Sequence, residues 1–153
     1  MIESAPFLGM RRQMRAFTES LDESQAFGIL EGFNNNIAWH LGHIAITQQI
    51  LCYELCGLEP IASAETLSMY RKGTSPKDWQ TNPILESIAH MLTDLAERFV
   101  EDWKKEIFKS FSPYTTSAGV QLNRLEEAFV FNHIHEGMHF GQVRLMLRLA
   151  SQS

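Results

Sequence analysis

The chain has only two cysteines in 153 residues and no Cys-x-x-Cys pair, which excludes a disulfide-built scaffold and a thioredoxin-type redox motif. Cys52 and Cys56 lie four apart on an expected helix, where two small buried hydrophobes in a reducing compartment are the natural reading. Basic runs are also missing. Nothing exceeds Arg11-Arg12 or Lys104-Lys105, and the net charge is −5, so the electrostatic footprint of a nucleic-acid binder is absent. No apolar run approaches the roughly 20 residues needed to cross a membrane. Met1 to Met10 lacks a basic segment followed by an apolar one, so it does not read as a signal peptide, and a cytoplasmic address is expected. A glycine-rich phosphate loop, a Gly-x-Ser-x-Gly elbow and an internal repeat are all lacking as well.

What the chain does have is hydrophobic content of 44% against 20% charged. That balance suits one globular domain over residues 1–153 with a substantial core. Helical periodicity dominates. Phe7, Met10, Met14, Phe17 and Leu21 form an amphipathic stripe, with Arg11, Arg12 and Arg15 largely on the other side, and Ser4 opens this helix. Residues 22–33 read as a partly irregular connection. Asn34-Asn35-Asn36 is a capping signal for a second helix from Ile37 to Cys56, ended by Gly57. Residues 58–80 form the longest irregular stretch, of a length that suits a functional loop or a crossover. Thr81-Asn82-Pro83 caps a third helix carrying Ile88, Leu92, Leu95 and Phe99. Ser112 to Gly119 is a turn, and a fourth helix runs from Leu122 to Ala150. Four long helices, one long loop and no hairpin motif predict an all-α four-helix bundle.

Histidine is concentrated in two places. Three of the six fall at His133, His135 and His139, and two more at His40 and His43. At roughly 100° per residue His139 lies about 40° from His135, at the border of the apolar stripe, whereas His133 falls about 160° away. His43 shares a core-facing side of its helix with Thr47 and Ile50. A tandem pair plus a distant third histidine can build an open three-nitrogen metal site. His43 is the better placed third partner and His40 the alternative. His90, alone on its helix, reads as structural, as do Trp39, Trp79 and Trp103. Glu136 and Glu54 are candidates for a base or for supporting a ligand.

Asn36-Ile37-Ala38-Trp39-His40-Leu41-Gly42-His43-Ile44 resembles the second-helix motif of the DinB-like superfamily, also called the YfiT-like metal-dependent hydrolases. His135-x-x-x-His139-x-Gly141-Gln142 resembles its fourth-helix motif. The likeness covers nearly the whole chain, including the Gly73-Thr74-Ser75-Pro76 loop. It implies a four-helix bundle in up-down-down-up order holding a divalent ion, commonly zinc or nickel, on His43, His135 and His139. It also implies a small-molecule substrate. Some relatives are S-transferases that use a low-molecular-weight thiol such as bacillithiol or mycothiol, and many have no known activity. The large fused ergothioneine-forming members differ in build.

Two functions follow from that likeness. One is a metal-dependent thiol transferase or hydrolase, with residues 58–80 covering the site and Tyr70, Arg71, Lys72 and Trp79 offering charge and stacking to the substrate. The other is a bundle that binds metal without turnover and serves as an interaction or stress-related module. A homodimer is expected in either case.

Overall fold

The computed structural model describes residues 2–152; Met1 and Ser153, the ends of the expected domain, lie outside. Six helices make up nearly all the regular structure: α1 (Ser4–Glu19), α2 (Glu23–Phe27), α3 (Ile37–Cys52), α4 (Ala64–Tyr70), α5 (Leu85–Lys104) and α6 (Leu125–Ala150). A two-stranded hairpin, β1 (Tyr114–Thr115) and β2 (Gln121–Leu122), precedes α6. The fold is all-α, as the periodicity predicts.

The four long helices form the bundle, and side-chain pairs give their directions. Phe7 meets Phe99 and Arg15 meets Thr93, so α1 and α5 run antiparallel. His43 meets His135 and His40 meets His139, so α3 and α6 are antiparallel too. Phe7 touches Phe129 and Phe17 touches Phe140, so α1 and α6 are parallel. The order is therefore up-down-down-up. Two apolar clusters fill the interior. One surrounds Leu41, Ile44, Leu92 and Met146, and the other Phe7, Phe99, Leu125 and Phe129.

Several ends and connections differ from the sequence reading. Asn36 does cap α3, its side chain accepting from Trp39 N at 2.8 Å. That helix stops at Cys52, however, and a turn of 3-10 helix over Glu54–Cys56 follows before Gly57, whose φ of +71° ends it in the left-handed region. Residues 22–33 contain α2, opened by a reciprocal Asp22–Gln25 capping box. Residues 58–80 contain α4, capped by Ser63. Neither short helix is long enough to repeat the helical period over several turns. The expected cap of α5 is also displaced, because the helix begins at Leu85 with Ile84 preceding it and no side-chain cap. The hairpin was not expected; two residues per strand leave no alternation to read.

Arg11 is the largest departure. Assigned to a solvated face by its charge, it is 0% exposed. Its Nη2 and Nε donate to Glu136 at 2.6 and 3.1 Å. It also donates to the carbonyls of Leu92 and Ile44, each at 3.3 Å. Asn132 Nδ2 donates to the same Glu136 carboxylate. This is a buried ion pair with its other donors satisfied, and so it can be tolerated in the interior.

Candidate metal centre

Helix α3 is buried almost all round. It lies against α5 on one side and α6 on the other, so its two histidines point to a protein-lined space rather than to bulk water. His40 and His43 are 5% and 6% exposed. On α6, His135 and His139 stand one turn apart on the face toward α3, both half-buried. The ring nitrogens of His43, His135 and His139 offer one ligand atom each within 4.8 Å of one another. Among the described residues no other histidine, cysteine, aspartate or glutamate joins that group.

The surroundings of His43 suit a ligand. Its Nδ1 lies 2.7 Å from the Tyr70 carbonyl and donates to it. That leaves Nε2 as a bare lone pair, and this atom faces His135 Nε2 at 3.1 Å. Two nitrogens about 2.05 Å from one tetrahedral zinc would stand about 3.3 Å apart, close to the spacing seen. Trp39 stacks on the ring at 4.6 Å with planes 13° apart, so it belongs to the site wall as well as to the packing. The Trp39 Nε1–H donates to Thr74 Oγ1 at 2.9 Å, joining the wall to the loop after α4. Gly42 allows this fit, since a Cβ there would come within 2.4 Å of the Tyr70 ring.

Burial makes these imidazoles weak bases. His135 and His139 are pushed down to about 3 and His40 to about 4, first by desolvation and then by neighbouring histidines. His43 is also lowered by desolvation, partly offset by its bond to Tyr70. Neutral imidazoles are the form that binds metal. Three converging neutral nitrogens, one of them tautomerically fixed by a carbonyl, fit a divalent ion.

The histidines line a cavity of about 840 Å³. One wall is α6, through Val130, Ile134 and Met138. Another is the hairpin, through Val120 and Leu122, and a third carries Trp39, Lys72 and Gly73. The expected cover over residues 58–80 is thus reduced to Lys72 and Gly73. Tyr70 is buried under Gly42, Arg71 forms an ion pair with Glu54 at 2.6 Å, and Trp79 packs edge-on against Tyr70. Glu54 is therefore occupied away from the histidines, and Glu136 is engaged by Arg11. Neither has the free carboxylate a base requires. His133 bonds the Phe129 carbonyl, and His90 lies at the surface beside Arg15 and Glu86. Both cysteines are buried and free; burial pushes the Cys56 thiol up to about 11 and Cys52 higher still, so neither is a ready thiolate.

An all-α bundle with three converging histidines beside an open cavity defines a class of helical proteins that could hold a metal ion. Residues 7–143 match the sequence profile of the DinB superfamily, and the chain belongs to that superfamily. No curated protein matches the chain. No helix among the described residues is long and apolar enough to cross a membrane.

Proposed function

We propose that the chain is a cytoplasmic metal-dependent enzyme in which His43, His135 and His139 hold a divalent ion, zinc or nickel. Its reaction is transfer of a low-molecular-weight thiol to a small electrophile, or hydrolysis. The observation that carries this reading is the pairing of three neutral ligand nitrogens with an 840 Å³ cavity and, among the described residues, no fourth protein ligand in the group. Structural metal sites are closed by four protein ligands, while catalytic ones keep a position open. When bound, a divalent ion on neutral ligands supplies an undiminished positive charge that favours a thiolate or lowers the pKa of water. The protein's own part is to orient the ligands and to hold an apolar substrate body along Val130, Ile134 and Met138.

Two measurements test this. Protein purified without chelator should carry about one ion per chain, and His135→Ala should lose it; full metal content in that variant would sink the assignment. Metal-loaded protein should then consume cysteine, glutathione or bacillithiol against a chlorinated or epoxide electrophile, or hydrolyse a member of an ester and amide panel. A filled site with no turnover above the metal-free control favours the non-catalytic metal-binding bundle instead.

A further inference from the structure

His40 belongs to the cavity wall but not to the three-histidine group. Its Nδ1 nevertheless lies 2.9 Å from His139 Nδ1, with ring centroids 5.1 Å apart and planes tilted by 43°. Two imidazole nitrogens that close share one proton, so one donates and the other accepts. Because His40 stands outside the 4.8 Å group, the contact is not joint ligation of one ion. A histidine that gives one nitrogen to a metal keeps its proton on the other, and that proton needs an acceptor. For His43 the acceptor is the Tyr70 carbonyl, whereas His135 Nδ1 is buried without a partner. For His139 the nearest acceptor is His40.

Resting on the three-histidine reading above, we propose that His40 is the positioning residue of the centre. Its Nδ1 accepts from His139 Nδ1–H, and its own Nε2–H is offered to the cavity as a donor for an oxygen-bearing small molecule bound beside the ion. The second half follows from the first. A neutral imidazole that accepts at Nδ1 must carry its proton at Nε2. Among the described residues no protein group bonds that nitrogen, and it is not among the buried side-chain atoms left without a partner. It therefore reaches the cavity, which His40 lines. The ring has little freedom to turn away, because it is 5% exposed and Trp39 packs edge-on against it at 5.3 Å. The ligand class this selects has a hydrogen-bond acceptor oxygen, as in a carboxylate or carbonyl, next to an apolar body facing Ile134 and Met138.

The test compares His40→Phe and His40→Asn with His43→Ala, reading zinc affinity by competition with a chromophoric chelator. His40→Phe should bind zinc about 10- to 100-fold more weakly. His40→Asn, whose Oδ1 can accept in place of Nδ1, should recover most of that loss. Acetate binding to the zinc-loaded protein, followed by calorimetry, should weaken roughly three- to tenfold in both variants, since neither keeps the Nε2–H donor. Nitrogen-15 NMR of the zinc-loaded natural protein should show His40 protonated at Nε2 and His139 at Nδ1, and this readout holds even if a variant fails to fold. If His43→Ala keeps its metal, the reading of the centre itself falls. Should His43→Ala lose metal while His40→Phe binds zinc as tightly as the natural protein, or His40 carry its proton at Nδ1, only the role of His40 is overturned. Equal acetate binding in the natural protein and both His40 variants would remove the donor half.

Discussion

Two groups of buried polar side chains govern this molecule residue by residue, and they behave in opposite ways. Arg11 and Glu136 are charged and matched. Removing one partner strands the other, so Arg11→Ala should cost about 3–5 kcal/mol in chemical denaturation, while Arg11→Met combined with Glu136→Leu should recover much of it. Equal losses in the single and double variants would show that packing, not the charge pair, is at stake. His40 and His43 are buried, His135 and His139 half-buried, and all four are neutral. His135 and His139 titrate near 3 and His40 near 4 when folded, against 6.5 for an ordinary imidazole. As pH falls, the unfolded chain takes up protons first. Stability of the metal-free protein is therefore complete above about pH 6.5 and is lost progressively as pH drops toward 3 to 4. The urea midpoint of chelator-treated protein should be lower at pH 5 than at pH 7.5, and a flat profile would contradict the burial of these rings. Sequence made the histidines legible because their spacing puts them on one face. It hid Arg11, because a guanidinium beside an apolar stripe looks like a solvated edge until its carboxylate partner 125 residues away is known.

At the scale of elements, the long helices could be read because each repeats its apolar pattern over several turns. The short ones and the hairpin could not, having too few residues to repeat anything. This matters for the site, since the hairpin and the loop after α4 supply two of its walls. Gly42 on α3 lies directly against the Tyr70 ring at the end of α4. The same Tyr70 presents its carbonyl to His43. Gly42→Ala must therefore displace that ring, and the carbonyl with it. We expect a stability loss of about 1–3 kcal/mol together with weaker zinc binding, although no ligand is altered. Denaturation and chelator competition measured on the same sample check both, and a variant unchanged in either would mean that α4 moves freely of the centre.

For the molecule as a whole, α6 is apolar on two sides. Its inner side packs on α3, while Val130, Ile134, Met138 and Leu145 form an outer stripe that is 52–68% exposed. Val130, Ile134 and Met138 also line the cavity, and Leu145 lies beyond it. We propose that a second copy covers the stripe at its Leu145 end and leaves the cavity wall free, giving a homodimer. Light scattering at micromolar concentration should report twice the 17.5 kDa chain mass, and Leu145→Glu should reduce it to one chain; a monomer in the natural protein would refute the pairing. Arg11, finally, reaches three other helices at once through Ile44, Leu92 and Glu136. Peeling α1 away from the rest would leave a bare carboxylate in a dry interior, which raises the free energy of that partial opening toward that of complete unfolding. The 16-residue α1 is thereby tied into the cooperative unit that protects the whole bundle.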